Sequence, residues 1–296
     1  MENLLDLTRL RVHEPGKVDL ARHPTDLGDV LEKKELKGAL EKDKPRIHEL
    51  QETLYAQGSH TLLMIFQAMD AAGKDSAIAH VMSGVNPQGC HVTSFKAPSS
   101  EELSHDFLWR HAKAVPARGM IGIHNRSHYE EVLVVKVHPE YLAGQRLPGV
   151  GDPAKVGKAF WEERYASIRD FEVHLSRQGV TIMKFFLHLG KGAQKERFME
   201  RIEDPKKNWK FNAGDVKERE HWEEYQQAYA DAIGATAAPH APWFIVPADD
   251  QWETRAIVGR LVREQLEAMD LRMPTLDAKV KEGLAAAKEL LKKERG

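Results

Sequence analysis

A loop at residues 67–76 carries the residue types that phosphate chemistry needs, in the order Gln-Ala-Met-Asp-Ala-Ala-Gly-Lys-Asp-Ser. Gly73 permits a tight turn in which backbone amides face an anion, and the helical pattern that follows adds the positive end of its dipole. Lys74 would place an ammonium over a transferring phosphoryl group. The loop is therefore predicted to bind phosphate through Ala71, Ala72, Gly73, Lys74 and Ser76.

Two positions of this loop depart from the usual phosphate-loop pattern G-x-x-x-x-G-K-[ST]. Ala68 stands where the first glycine is expected, which is a mild change if this residue keeps a negative φ. Asp75 replaces the Ser or Thr, and Asp70 adds a second carboxylate. The Asp75 carboxylate is a hard oxygen ligand that suits Mg²⁺, and two carboxylates beside a phosphate would repel it unless a metal ion or basic side chains intervene. The alternative is a glycine turn at a helix start, which Asp70 or Asp75 merely caps.

A second polar cluster ends the apolar run within residues 119–131. The carboxyl ends of parallel strands meet at one edge of a sheet, so this cluster is expected beside the phosphate loop. Arg126 can bond phosphate oxygens through two N–H groups. Asn125 stands where an acidic residue commonly steadies Mg²⁺, and Glu130 or Glu131 would supply the carboxylate. The alternative is a strand followed by a capped helix, with Glu130 closing a capping box.

A basic segment follows the last of the strongly apolar runs. Between Lys184 and Lys210 there are eight Lys or Arg side chains against four acidic ones. Arg197 and Arg201 are four residues apart and so share one helix face, where they can follow a row of phosphates. Residues 204–205, Asp-Pro, are expected to end this helix. The segment favours a flap that closes over phosphates, although a solvated helix with internal ion pairs has the same composition.

Strand patterns alternate with helical patterns along the chain, which predicts one α/β domain with a parallel sheet covered on both faces. The expected strands are 61–66, 90–95, 119–124, 180–189 and 243–246. The expected helices are 29–57, 74–82, 101–114, 160–178, 252–269 and 279–295, the first of them divided or restarted at Pro45. Residues 1–27 lack periodicity and are expected to form an arm laid over the domain.

The composition argues against several classes of protein. The 296 residues include 43 Lys and Arg against 45 Asp and Glu, a net charge of −2, which does not suit a dedicated DNA-binding protein. Cys90 is the only cysteine, so a reducing compartment fits best. No signal peptide or membrane span is expected, and the protein is predicted to be cytoplasmic without a membrane partner. His124 and His128 are four residues apart, but a packing or hydrogen-bonding role is expected rather than a zinc site.

Several short motifs together resemble the polyphosphate kinase 2 family. They lie at 69–75, 85–89, 95–98, 125–130, 194–198, 204–210 and 241–243, within residues 55–265. The resemblance implies a P-loop kinase-like fold, a three-layer α/β/α structure with a parallel sheet and a helical lid. Ala68 and His124 depart from the glycine and phenylalanine of the family pattern, whereas Asn125 resembles the branch that accepts both AMP and ADP.

The resemblance implies Mg²⁺-dependent phosphoryl transfer between inorganic polyphosphate and the nucleotides AMP, ADP and ATP. The catalytic residues would be Asp70, Lys74, Asp75 and Arg126, with Asp70 and Asp75 organising Mg²⁺. The nucleotide would contact Asn125, Arg126 and Glu130. The polyphosphate would contact Arg126, Lys191, Arg197, Arg201, Lys206 and Lys207.

The resemblance also implies how the chain is divided and assembled. Residues 1–58 would form an arm with helices, 59–270 the kinase-like core with a lid at about 190–232, and 271–296 a C-terminal helix. A homodimer or homotetramer is expected.

Two other functions would use some of the same residues. An ATP-dependent kinase of another small acceptor would be expected to keep Ser or Thr at position 75. A noncatalytic P-loop module that binds nucleotide or RNA would need no paired carboxylates facing Lys74.

Overall fold

A computed structural model describes residues 7–28 and 31–294 of the chain. Its centre is a six-stranded sheet with the strand order β1-β6-β5-β2-β4-β3. The strands are β1 Arg11–Val12, β2 Thr61–Ala68, β3 Cys90–Ser94, β4 Ile121–Asn125, β5 Val180–His188 and β6 Trp243–Pro247. The five strands β2 to β6 are parallel, as predicted, and each was expected from the sequence.

The edge strand β1 corrects the prediction of a wholly parallel sheet. It pairs antiparallel with β6 through Arg11 opposite Phe244 and Val12 opposite Trp243. A strand of two residues has no periodicity to detect, which is why the sequence showed only an arm. The arm is held further along by the hydrogen bond of Gly16 N to Gly234 O (3.0 Å).

Helices cover both faces of the sheet. The α-helices are α1 Lys33–Gln57, α2 Lys74–Val81, α3 Ser100–Leu103, α4 Trp109–Lys113, α5 Val134–Val137, α6 Leu142–Gln145, α7 Lys158–Arg177, α8 Lys191–Glu203, α9 Ala213–Glu218, α10 Trp222–Thr236, α11 Gln251–Ala268 and α12 Ala278–Lys293. Short 3₁₀ helices lie at Leu7–Leu10, Leu20–Arg22, Pro87–Gly89, His128–Val132, Pro139–Tyr141, Pro153–Lys155, Asn208–Lys210 and Arg219–His221.

The prediction that Pro45 divides the first helix is wrong. Pro45 lies inside the continuous helix α1, where it removes one backbone donor. Both Pro45 and Glu41, whose carbonyl loses that donor, are exposed, so water can replace the missing hydrogen bond. Leu40 and Ile47 are fully buried on the opposite side and hold both halves of the helix on the core. Residues 29–30, where this helix was expected to begin, lie outside the described residues.

The single helix expected at 101–114 is also wrong, since α3 and α4 are separate. Ser104 Oγ donates to Glu101 O (2.7 Å) at the end of α3. The Asp106 carboxylate then accepts from Leu108 N (2.9 Å) just before α4 begins. Side chains that bond the nearby backbone in this way compete with a continuous helix.

The two faces of the sheet bury two separate apolar clusters. Helices α1, α2 and α11 pack on one face against Met64, Phe185 and other residues of the strands. Helices α7 and α10, with the segment 128–137, pack on the other face against Ile65 and Phe186. This is the predicted three-layer α/β/α arrangement. No helix among the described residues is both long and apolar enough to cross a membrane.

Candidate functional site

A cleft of about 1270 Å³ opens at the carboxyl ends of β2 and β4. The predicted phosphate loop forms its floor and the polar cluster after β4 forms one wall, because both strands end at the same edge of the sheet. Residues from α8 and from the segment 207–215 also line it, as do residues from segments 94–110 and 131–145. Of the predicted site residues, the cleft brings together Asp70, Ala71, Ala72, Gly73, Lys74, Asp75, Ser76, Asn125, Arg126, Glu130, Arg197, Arg201 and Lys207.

The phosphate loop turns tightly through two left-handed residues. Gly73 has φ 93° and Ala71 has φ 63°, a region that is rare for a residue with a Cβ. Gly73 lies directly before α2, and its carbonyl accepts from Ala77 N (2.9 Å). Ala68 is the last residue of β2 and has a negative φ, so the absent first glycine does not disturb the turn. The strain lies instead at Ala71, which the sequence pattern did not indicate.

Lys74 is the cation at the centre of the cleft floor. Its Nζ donates to Ala68 O (2.9 Å), which folds the side chain back over the loop. Burial, reinforced by the neighbouring Arg126 guanidinium, lowers the pKa of Lys74 to about 8, against the opposing pull of nearby carboxylates. The ammonium is therefore mostly charged at pH 7, and it lacks a direct carboxylate partner among the described residues. A bound phosphate would supply that missing negative charge.

Arg126 faces the loop from the end of β4. Arg126 also has a left-handed φ of 63°, and its backbone N–H donates to Phe66 O (3.0 Å). The guanidinium forks between two carboxylates, with Nη2 to Asp70 Oδ1 at 2.9 Å and Nη1 to Glu130 Oε2 at 3.1 Å. Glu130 contributes most to raising the pKa of Arg126. Arg126 thus joins the phosphate loop to the polar segment after β4, and the sequence predicted both segments at one edge of the sheet.

The capped-helix alternative for this segment is only partly right. Ser127 Oγ accepts from Tyr129 N (3.2 Å) and caps a short 3₁₀ helix. Glu130 pairs with Arg126 and does not close a capping box. Glu131, the other candidate carboxylate, is buried and pairs with Arg164 (2.9 Å). Glu130 is therefore the carboxylate that lies beside the loop.

Asp70 and Asp75 fit a magnesium ion by the chemistry of their oxygens. One oxygen of each carboxylate accepts a hydrogen bond from a protein side chain: Asp70 Oδ1 accepts from Arg126, and Asp75 Oδ1 accepts from Asn125 Nδ2. The described residues include no group of three or more His, Cys, Asp or Glu side chains that could hold a metal alone. A hard cation that takes one or two carboxylates and completes its shell with phosphate and water suits this pair.

Helix α8 contacts the loop through two side chains. Arg197 donates to three backbone carbonyls, Ala71 O (2.9 Å), Ala248 O (2.6 Å) and Asp249 O (2.9 Å). Gln194 Nε2 donates to Asp70 O (2.9 Å). Gln194 is a site residue that the charge pattern missed, since an uncharged side chain carries no signal in a basic segment. Arg201 has a loose ion pair with Asp215 (3.8 Å), its guanidinium lies 5.5 Å from the centre of the Phe198 ring, and it lines the cleft.

Several basic residues lie elsewhere than the sequence suggested. Lys191 lines a different cavity, of about 1420 Å³, between the N-terminal arm and α10. Lys206 is exposed outside the cleft lining. Lys184, counted in the basic segment, is fully buried in β5 and cannot reach a phosphate. Arg110, which was not predicted, lines the cleft and donates to Lys96 O (2.8 Å).

The Ser76 hydroxyl and the histidine pair also have protein partners. Arg255 Nη2 donates to Ser76 Oγ (2.6 Å), which ties the start of α2 to α11. The expected hydrogen-bonding role of His124 is confirmed, since its Nε2 lies 3.1 Å from Ala114 O. His128 packs against the rings of Tyr129 and Phe171.

Comparison with known proteins places these features in a family. The sequence model described as polyphosphate kinase 2 matches residues 30–274. A relative in Rhodopseudomonas palustris, named ADP-polyphosphate phosphotransferase, is 48% identical over 286 residues, which is 96% of this chain and 98% of the relative. A relative in Meiothermus ruber, named AMP/ADP-polyphosphate phosphotransferase, is 41% identical over 270 residues, 90% of this chain and 96% of the relative.

A solved structure has the same fold. The crystal structure of polyphosphate kinase 2 from Arthrobacter aurescens TC1 superposes with a TM-score of 0.84 at 38% identity, covering 96% of this chain and 98% of that one. The P-loop kinase-like fold predicted from the motifs is therefore confirmed.

Proposed function

The chain belongs to the polyphosphate kinase 2 family, and from this premise we propose that it transfers phosphoryl groups between inorganic polyphosphate and nucleotides, AMP to ADP and ADP to ATP. The observation that carries the proposal is that Lys74 and Arg126 line one cleft, where Arg126 is paired with Asp70 of the phosphate loop. Cationic side chains beside the carboxylates of Asp70 and Asp75 in one cleft suit a reaction in which both substrates are phosphates.

The transfer itself needs little from an acid or a base. A terminal phosphate oxygen of AMP or ADP is already ionised and attacks the end phosphorus of the polyphosphate. One P–O bond forms to the nucleotide as the P–O bond to the rest of the chain breaks. The shortened polyphosphate leaves with the electron pair on its new terminal oxygen. Catalysis is then a matter of alignment and of stabilising the charge on the transferring group.

The cleft residues divide these tasks according to their positions. Lys74 and the amides of the loop would hold the transferring phosphoryl group, and Arg126 would bond it from the opposite side. Arg126 already lies against Asp70 and Glu130, so the phosphate would compete for its N–H groups. Asn125 and Glu130 would contact the nucleotide. Asp70 and Asp75 would hold Mg²⁺, which when bound neutralises phosphate charge.

The lid is proposed as a smaller unit than residues 190–232. The first part of helix α10 falls in that range, yet Trp222, Tyr225 and Tyr229 of this helix are buried in the core of the domain. The segment from α8 to α9 carries Arg201 and Lys207, which line the cleft. Because Arg197 bonds the loop backbone, we assign it the task of seating α8 on the loop, and we assign polyphosphate contacts to Arg201 and Lys207. Lys191 and Lys206 stay predictions.

The test is a phosphoryl-transfer assay with Mg²⁺ and long-chain polyphosphate, in which AMP and ADP are offered separately and ATP is omitted. Formation of ATP from ADP supports the proposal, and formation of ADP from AMP extends it to both acceptors. No product from either acceptor, with circular dichroism showing a folded protein, contradicts it. Light scattering of the same sample tests the expected homodimer or homotetramer.

A further inference from the structure

A buried polar network lies directly behind the turn that carries Arg126. At its centre Lys184 Nζ donates to three acceptors, Glu172 Oε2 (2.7 Å), Thr236 O (2.8 Å) and Tyr129 OH (2.9 Å). Tyr129 OH in turn donates to Glu172 Oε1 (2.7 Å). Lys184 and Glu172 are almost fully inaccessible, with side-chain exposures of 0% and 1%.

The network joins four elements at one hydroxyl. Lys184 comes from β5, Glu172 from α7 and Thr236 from α10, while Tyr129 belongs to the 3₁₀ helix three residues after Arg126. Trp243 of β6 adds a hydrogen bond from its Nε1 to Thr236 Oγ1 (3.0 Å). Because Lys184 Nζ has three acceptors, each of its ammonium protons is hydrogen-bonded, which is the condition for holding a charge in the interior.

A gain in stability is a weak explanation for the buried ion pair between Lys184 and Glu172. Replacing a buried ion pair with apolar side chains of similar volume is often neutral or stabilising, because both ions lose their hydration. Directional hydrogen bonds instead fix one geometry, and here the geometry they fix is that of Tyr129. The same turn places Arg126 at φ 63°, a strained backbone state that persists only where its surroundings hold it.

We infer that Lys184, Glu172 and Tyr129 are positioning residues that hold the Arg126 turn in its strained conformation, so that the guanidinium fork stays aligned with the phosphate loop. The anchors on the other side of the turn are backbone and amide groups of β2. Arg126 N donates to Phe66 O (3.0 Å), and the Gln67 side chain lies 3.0 Å from Ser127 Oγ. The turn is thus held from both sides, by the neighbouring strand and by the network.

The kinetic part of this inference rests on the proposed function, so its test combines kinetics with a binding measurement. Tyr129→Phe removes only the hydroxyl and is expected to lower kcat/KM for ADP by about tenfold, because small misplacement of a substrate-holding group is costly. In an Arg126→Lys background, where the fork is already lost, the same change should cost less than twofold. Equal losses in both backgrounds would overturn the inference.

A second variant and a control separate positioning from folding. Lys184→Met/Glu172→Leu removes the charges as a pair and should lose kcat/KM to a similar degree while remaining folded. Asp43→Asn breaks the buried ion pairs between α1 and α11 and should leave kcat/KM within twofold. If the Lys184→Met/Glu172→Leu protein is folded and fully active, the network does not position the turn.

Calorimetric titration with inorganic tripolyphosphate provides a readout that needs no turnover. We expect Tyr129→Phe to raise the Kd several-fold and Asp43→Asn to leave it unchanged. A wild-type protein that binds tripolyphosphate but transfers nothing would contradict the proposed function alone. Equal Kd values for wild type and Tyr129→Phe would contradict the positioning role.

Discussion

The two faces of the sheet each bury an ionic group, and the two are built differently. On the face covered by α1 and α11, Asp43 pairs with Arg260 Nε and Arg263 Nη1, both at 3.1 Å. Asp43 is fully buried, but the two arginine side chains keep 11% and 20% exposure. On the face covered by α7 and α10, both Lys184 and Glu172 are buried.

This difference separates two uses of buried charge. The Asp43 group joins α1 to α11 and pairs with no residue of the phosphate loop among the described residues, and its arginines stay partly hydrated. The Lys184 network closes on Tyr129, and so reaches the turn that carries Arg126. Substitutions in the Asp43 group, which joins only helices, are therefore expected to lower the stability of the fold. Substitutions in the Lys184 network, which reaches the Arg126 turn, are expected to lower the rate of phosphoryl transfer.

The largest expected effect is that of Lys74→Ala, which tests whether transfer depends on the cleft at all. Loss of the ammonium removes a charge aimed at the transferring phosphoryl group and should lower kcat by about 10³-fold. The fold should remain, since the side chain bonds only Ala68 O among the described residues. The measurement is ATP formation from ADP and polyphosphate, with circular dichroism as the control. Turnover close to that of the wild type would remove the loop from the mechanism.

Asp43→Asn tests the other face. Two partly buried guanidinium groups would lose the carboxylate they share and keep longer ion pairs with Glu264 (3.9 Å) and Glu267 (3.8 Å), which is expected to reduce the free energy of unfolding by about 3 kcal/mol. The measurement is urea denaturation at pH 7.5. A large fall in kcat for this variant, at a temperature where it is folded, would break the comparison between the two faces.

Acid should lower the free energy of unfolding through the buried histidines His111 and His124, the second of which directly precedes Asn125. Burial is the main reason that the pKa of His124 falls to about 4, and burial likewise places the pKa of His111 far below its usual value. The nearby His128 and His91 also disfavour protonation of His124, while its hydrogen bond to Ala114 O favours it.

Because the unfolded chain takes up these protons and the folded chain does not, stability is lost as the pH falls below about 6.5. Between pH 7.5 and 5.5 the loss should be about 1.4 kcal/mol per histidine. His124→Phe keeps an aromatic ring against Phe95 and removes one such contribution, so urea denaturation should show a shallower pH dependence. An unchanged slope would show that His124 is not a source of the acid sensitivity.

The smallest effects should separate the two arginines of α8. Arg201 has a loose ion pair and a distant ring contact, so Arg201→Ala should raise the KM for long polyphosphate by about fivefold with little change in melting temperature. Arg197 bonds three carbonyls, so Arg197→Ala should lower the melting temperature as well. Polyphosphate chains of different length provide the kinetic readout. Identical behaviour of the two variants would contradict their separate tasks.

Local sequence was sufficient for much of the fold. The apolar runs at 61–66 and 180–189 predicted the two central strands, observed at Thr61–Ala68 and Val180–His188, because a strand buried on both faces has no polar alternation. It failed where partners distant in the chain decide the outcome. Pro45 stays inside α1 because the core holds both halves of that helix, and β1 exists only because β6 offers it an edge.

For the site, sequence by itself determined which residues have the right chemistry and where the chain turns. A glycine and a lysine before a helix, two carboxylates, and an arginine after a strand can be read locally. Only the tertiary structure decided which of these groups meet. It turned Lys184 inward and seated Arg197 on backbone carbonyls, leaving Arg201 at the cleft. The reason is physical: a charge in the sequence specifies a preference for water or a partner, and only packing determines which of the two it receives.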